Sequence, residues 1–369
     1  MTLGFHSPLA PRRTGVADYA AALLGELRAR GQVLVNSRRS AQVELYQLGN
    51  NQLHRGIYRR AIERPGVVVL HDAVLHHFFL GALTEDGYVE EFVYNYGDWS
   101  RDFARELWRE RSRSAQDARY FRFPMLRRIA ETSRALVVHN PAAAARVREH
   151  VAGARVVEIP HLFAQPELPP AYEVIRLRAR LGLTPRTTLF GVFGHLRESK
   201  RLFPILRAFE RVHRKEPETA LVVAGEFVSS DLARALVGLL DQPGVLRAGY
   251  LSERDFWLYA SAVDACINLR YPAAGETSGI AIRLMGIGKP LLVTAAEECS
   301  RFPETACIRI DGGVAEEEML AAYMLWLDGA PEARRRVGEE AARHIGAHHG
   351  LAAVAARFVE ALGWGDQAF

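Results

Sequence analysis

Residues 187–202 read TTLFGVFGHLRESKRL. An apolar, strand-favouring run reaches a glycine at Gly194, and a basic, helix-favouring segment follows it. A buried strand, a glycine turn and a helix, in that order, open a parallel α/β sheet. Outward from this stretch, short apolar runs alternate with amphipathic segments along the whole chain. Strands are expected at 67–70, 135–138, 156–159, 188–193, 220–223, 266–269 and 290–293. Helices are expected at 18–30, 204–214, 232–240 and 252–261. This alternation predicts parallel sheets with helices on both faces. A second opening of the same kind stands near the start, where Gly15 precedes a helix at Asp18. Between the two openings, residues 163–172 (FAQPELPPAY) carry three prolines and no periodicity, which reads as a linker. Two sheets joined in this way present a cleft between their carboxyl-terminal edges, where ligands of open α/β sheets bind.

The length of 369 residues exceeds one ordinary core and suggests two domains. The expected division is 1–165, a linker at 166–174, 175–348, and a terminal helix in 349–369 that packs back on the first domain. Hydrophobic residues make up 49% and charged residues 24%, a globular balance. The net charge of +4 gives no case for a nucleic-acid partner. No apolar run approaches the roughly 18 residues that a membrane span needs. The opening residues lack the apolar core of a secretory leader, and the three cysteines have no CxxC spacing. The expected location is therefore cytoplasmic, with the inner face of the membrane as an alternative. Only three lysines occur, at 200, 215 and 289, so a lysine inside the glycine-containing stretch stands out.

Four segments carry chemistry-bearing residues. In 269–293 (LRYPAAGETSGIAIRLMGIGKPLLV), a strand end leads through Gly275 and Gly279 into a helix. Backbone N–H groups at a helix start attract anions, and Thr277 and Ser278 add hydroxyls. Glu276 suits sugar hydroxyls in one reading and a helix start in the other. In 191–201, His195, Arg197, Lys200 and Arg201 crowd four potential cations behind a strand. Such a group suits a diphosphate; the plainer reading is a basic helix start. In 6–19, prolines 8 and 11 with Gly15 form an ordered turn that either covers a cleft or merely connects. In 67–77 (VVVLHDAVLHH), His71 follows a strand and suits a base or a substrate contact in one reading and, as a lone histidine at a strand end more often is, a structural residue in the other. His139 and His161 also follow strands. None of these histidines falls in an HExxH pattern, and no metal is expected. Residues 101–128 interleave arginines with aromatics, as an anionic-membrane or acidic-acceptor face would, or as an ordinary solvated face does.

Taken in order, GVFGHLRESKR (191–201), LVVAGEF (221–227), GVLRAGYLSERDFWLYASAVDACINLR (244–270) and GETSG…GKPLLV resemble the nucleotide half of glycosyltransferase family 4. SPLAPRRTGVADYAAALLGELRARG (7–31), ALVVHNPAAAARV (135–147) and VVEIPH (156–161) resemble its first half. The resemblance spans nearly the whole chain and rests on the combined order of motifs. It implies the GT-B fold, two Rossmann-like α/β domains facing each other across a cleft. It also implies a retaining transfer from a nucleotide-diphosphate sugar to a hydroxyl acceptor, with no obligatory metal or other cofactor. By that resemblance Gly15 faces the donor phosphates, with His195, Arg197, Lys200, Arg201 and the 277–280 turn (Thr277, Ser278, Gly279, Ile280). His71 faces the reacting sugar, and Glu276 holds its hydroxyls. Gly225, Glu226, Phe227, Tyr250 and Leu251 line the base. The stretch 88–128 looks like the variable part that sets the acceptor.

Two residues depart from the family pattern. His195 stands where the family has an arginine, so part of the diphosphate clamp falls to Arg197 or Arg201. The second glutamate of the family's Glu-x7-Glu motif is missing: counting back from GKP places Arg283 there, and counting forward from Glu276 places Leu284. The chain thus resembles a sub-group with GETSG and without that carboxylate, and its ribose contact is open. Two competing readings remain: a nucleotide-sugar epimerase or hydrolase, which would convert donor without acceptor, and a non-catalytic subunit that partners another transferase.

Overall fold

The computed structural model describes residues 1–12 and 14–364. Arg13 of the opening loop and 365–369 of the expected terminal segment lie outside the described residues. The chain forms two compact units. The first comprises Met1–Ala164, Pro272–Gly279 and the chain from His348; the second comprises Gln165–Tyr271 and Ile280–Ala347. The expected division put 272–279 with the second half and broke at 348–349. In the structure that loop belongs with the first unit.

Each unit holds one six-stranded, all-parallel sheet. In the first, β1 (Leu3–His6), β2 (Val33–Val35), β3 (Val43–Leu48), β4 (Val67–Leu70), β5 (Ala135–Val138) and β6 (Val156–Glu158) lie in the order β2-β1-β3-β4-β5-β6. Both faces of this sheet are covered, as parallel sheets require. Alternation sends Val68, Leu70, Leu136 and Val138 into a core with Phe78, Phe92 and Tyr120. It sends Val67, Val69, Ala135 and Val137 into another with Leu23, Val354 and Phe358. The first core is built by the helical connection between β4 and β5, including Glu85–Tyr96 and Arg101–Glu110. In the second core, helix Leu351–Leu362 lies on helix Gly15–Arg28. Trp364 Nε1 also donates to the Met1 carbonyl there, at 2.9 Å.

In the second unit, β7 (Thr188–Phe193), β8 (Thr219–Ala224), β9 (Val245–Ala248), β10 (Ala265–Asn268), β11 (Leu291–Thr294) and β12 (Ile308–Ile310) lie in the order β12-β11-β10-β7-β8-β9. Counted from its own first strand, this is the Rossmann order 3-2-1-4-5-6 read from the other edge. The strand order reverses between β7 and β10, and such a switch point is where ligands of this fold bind. Helices Leu202–Lys215 and Glu316–Gly329 cover one face, packing Phe209, Leu320 and Met324 on Phe190, Val192 and Leu221.

Two expected segments differ in detail. The linker is not featureless: Phe163 N donates to the His349 carbonyl at 2.6 Å, and helix Ala171–Arg180 begins inside the expected 166–174 stretch. Pro170 stands just before that helix, where its fixed φ suits a helix start. The helix expected at 232–240 is two short ones, Ser230–Ala235 and Val237–Leu240.

Candidate functional site

At the switch point of the second unit, β7 ends at Phe193 and the chain turns at Gly194. Gly194 has φ +89° and Gly225, after the neighbouring β8, has φ +146°. The two turns touch: a Cβ on Gly225 would stand 2.1 Å from the Gly194 carbonyl oxygen. Beyond them the loops run side by side, Leu196 N donating to the Glu226 carbonyl at 2.8 Å and Val228 N to the Leu196 carbonyl at 2.9 Å. This brings His195 beside the 225–227 segment.

Lys200 turns back under this loop. It is 4% exposed, and its ammonium donates to the Phe193 carbonyl. A Cβ on Gly194 would lie 3.2 Å from its Nζ and 3.3 Å from Ile280, so Lys200, Gly194 and Ile280 form one spot. Burial pushes the Lys200 pKa well below the ordinary lysine range, and the positive charges of Arg270 and Arg197 push it further. No carboxylate among the described residues is paired with it. Lys200, Arg197 and Arg270 thus gather three positive charges at the sheet's switch point. Arg270, two residues past the end of β10, joins this spot without standing out in the sequence pattern.

Arg201 is held differently from its neighbours. It takes left-handed backbone angles (φ +59°) and its Nε donates to Glu316 at 2.9 Å, with a second bond from its terminal nitrogen to the same carboxylate. Glu316 is buried at the start of its own helix. Arg201 therefore ties two helix N-termini together. Arg197, by contrast, is exposed. Arg283 binds Glu253 at 2.6 Å and stacks over Phe256 and Trp257 at 4.0 and 4.4 Å. Trp257 Nε1 donates to the same Glu253 oxygen at 2.8 Å. A carboxylate thus stands beside Arg283. Tyr250 is exposed and Leu251 half-buried, just before this helix.

The first unit gathers a second group at the carboxyl-terminal edge of its sheet. His71 follows β4, His139 and Asn140 follow β5, and His161 follows β6. Asn140 Nδ2 donates to the Gly275 carbonyl at 3.0 Å and to Thr277 Oγ1 at 2.9 Å, which fixes the 275–277 turn. Gly275 has φ +76°, and a Cβ there would meet Ala73 at 2.8 Å. Glu276 Oε2 accepts from the Ala274 N–H at 2.7 Å. Ser278 and Gly279 complete the turn, with Gly279 against the His161 ring, and helix Gly279–Gly286 follows. Tyr19 sits among the imidazoles, its ring 4.8 Å from His71, 5.2 Å from His139 and 4.8 Å from His161. The Tyr19 hydroxyl and His139 Nε2 are buried without a hydrogen-bond partner. Burial holds His139 down at about 4 and His71 well below the ordinary histidine range, so both rings are neutral near pH 7. The structure thus joins His71 to the 275–279 turn, and Lys200, Gly194, Gly225 and Ile280 to one another.

Gly15 starts helix Gly15–Arg28, capped by Thr14, and is exposed with open space around it. Along 101–128 the aromatics face the core: Tyr120 is buried, and Phe103, Trp108, Phe121 and Phe123 pack against it. Some of its arginines meet acids, Arg105 with Asp102, Arg119 with Glu106 and Asp117, and Arg128 with Glu91. Among the described residues no helix is long and apolar enough to cross a membrane, and no group of three or more His, Cys, Asp or Glu is arranged to hold a metal ion.

No family model matches the chain, and no curated protein matches it. Solved structures do. HepE of Anabaena, in complex with UDP and glucose, superposes with a TM-score of 0.65 at 13% identity, covering 98% of this chain and 99% of that one. Sucrose-phosphate synthase of Thermosynechococcus elongatus gives 0.65 at 13% identity over 98% of both chains. WaaG, a glycosyltransferase of lipopolysaccharide biosynthesis, gives 0.63 at 14% identity, covering 98% of this chain and 99% of its own. The likeness spans both six-stranded units, and the chain has the GT-B fold, built from two Rossmann-like α/β domains.

Proposed function

We propose that the chain is a retaining glycosyltransferase of family 4, moving a sugar from a nucleotide-diphosphate sugar to a hydroxyl acceptor. The observation that carries this reading is Lys200: a buried cation at a Rossmann switch point, flanked by Arg197 and Arg270 and paired with no carboxylate. A diphosphate would balance that charge with charge-assisted hydrogen bonds. That HepE, of the same fold, was solved with UDP and with UDP-glucose supports the donor class.

In the proposed reaction the acceptor hydroxyl oxygen bonds to the anomeric carbon as the carbon–oxygen bond to the diphosphate breaks. The acceptor's proton passes to the departing phosphate oxygen on the same face of the sugar. The protein's contribution is positioning and charge stabilisation. Lys200, Arg197 and Arg270 hold the developing phosphate charge without a metal. The 277–280 turn, with Thr277, Ser278, Gly279 and Ile280, offers N–H groups, and Gly15 does so from the other helix start. Glu276 and the neutral His71 orient sugar hydroxyls. Gly225, Glu226, Phe227, Tyr250 and Leu251 take the base, and Glu253 beside Arg283 stands near the ribose end. Arg201, committed to Glu316, supports the loop from behind. The acceptor is set by the helical connection of the first domain.

The test is a thermal-shift screen over nucleoside diphosphates and their sugars, followed by product detection with the best donor. Transfer to a hydroxyl with retained anomeric configuration is the expected result. Rapid conversion of donor with no acceptor would assign an epimerase or hydrolase instead. A Glu276→Ala enzyme with the full transfer rate would sink the sugar role of that residue.

A further inference from the structure

The environment of His71 contains a device that the reaction scheme above does not use. Its backbone N–H donates to the Leu48 carbonyl at 2.9 Å, extending the β3–β4 ladder one step past the strand end. Its Nε2 lies 2.7 Å from Gln47 Oε1, two residues along from the Gln47–Val69 register pair. Gln47 is 0% exposed, its backbone carbonyl accepts from His54 Nδ1 at 3.0 Å, and its side-chain amide nitrogen is buried without a hydrogen-bond partner, so among the described residues His71 is the amide's one side-chain contact by hydrogen bond. An amide oxygen only accepts, so the ring proton belongs on Nε2.

We propose that Gln47 is a positioning residue for His71, fixing the imidazole as the Nε2–H tautomer and leaving Nδ1 as a hydrogen-bond acceptor. The substrate consequence rests on the transferase reading: His71 accepts from a sugar hydroxyl and never serves as a cationic acid.

The neighbours enforce the same state. Burial disfavours the imidazolium first, and His139, His161 and His54 disfavour it further from three other elements. Tyr19, from helix Gly15–Arg28, offers no negative charge, because burial holds its phenol protonated. Asp72, the next residue, spends Oδ2 on the Asn50 N–H at 2.7 Å. A glutamine here gives orientation without charge, whereas a glutamate at the same place would draw a second proton onto the ring.

The experiment is nitrogen-detected NMR of the histidine rings in the full chain, with His71 assigned by its loss in His71→Asn, alongside donor kinetics. Wild type is expected to show a protonated Nε2 and a bare Nδ1 on His71, unchanged from about pH 5.5 to 8. Gln47→Glu, nearly the same shape, is expected to keep the His71 ring doubly protonated to a pH at least about one unit higher. Gln47→Leu is expected to mix the tautomers and lower kcat about tenfold, with the donor KM within about twofold. A wild-type ring protonated on Nδ1 overturns the proposal, as does a Gln47→Leu protein with the wild-type tautomer and kcat. Absence of turnover with every nucleotide sugar would overturn the transferase reading alone, because the ring signals decide the tautomer without it.

Discussion

At the residue scale, Lys200 sets stability against binding. A buried ammonium with no carboxylate beside it is costly to fold around, and its burial is what makes it useful to an anion. Lys200→Met is therefore expected to raise the melting temperature of the unliganded protein while weakening nucleoside diphosphates by about a hundredfold. Differential scanning calorimetry and titration calorimetry read the two halves; a variant that melts lower and still binds would refute the assignment. The buried histidines predict a pH dependence of a defined sign. His139 titrates at about 4 when folded and near the ordinary 6.5 when unfolded. The unfolded chain therefore binds the proton first, and stability falls as pH drops from about 6.5 to about 4, then levels off. The slope from one such group is on the order of 1.4 kcal/mol per pH unit. His54, also held at about 4 by burial, adds in the same window. Urea unfolding at a series of pH values should show this, and His139→Asn should flatten part of it.

At the element scale, the paired turns after β7 and β8 admit one prediction and one lesson. Gly225→Ala adds a methyl against the Gly194 carbonyl in a backbone region that side chains rarely adopt. It is expected to cost on the order of 3 kcal/mol or to displace the 194–201 loop, seen as faster hydrogen exchange there with lost nucleotide affinity. The elements that the sequence revealed are those whose burial makes them uniformly apolar. Val67–Leu70, Ala135–Val138 and Thr188–Phe193 are central strands covered on both faces, and their bounds agree with the reading. Strand Val43–Leu48 (VELYQL) escaped because its polar members Glu44 and Gln47 are buried and bonded inside. Strand Leu3–His6 escaped because it is only four residues long and runs straight into the proline-containing loop. Single-residue chemistry was legible at Lys200, which is conspicuous in an arginine-rich chain. Arg270 was not, because its significance comes only from the strand order that sets β10 beside β7. The engagement of Arg201 by Glu316 was equally invisible, since 115 residues separate them.

At the scale of the whole molecule, the two units carry separate hydrophobic cores, so ligand effects should be local. A nucleoside diphosphate is expected to protect amides at 193–201 and 225–228 in the second unit and to leave the β4–β5 helical connection unchanged. Hydrogen exchange followed by mass spectrometry checks this, and protection confined to the first unit would contradict the placement of the diphosphate on Lys200. The packing of helix Leu351–Leu362 on helix Gly15–Arg28 has a consequence for biosynthesis. While the ribosome is still making the second unit, one face of the first sheet is only part-covered: Leu45, Val69 and Val137, with Leu23 of helix Gly15–Arg28, wait for Val354, Phe358 and Trp364. The early-made part is thus the last to be finished, and a nascent chain stalled before residue 350 should be a chaperone client, however complete its second unit is.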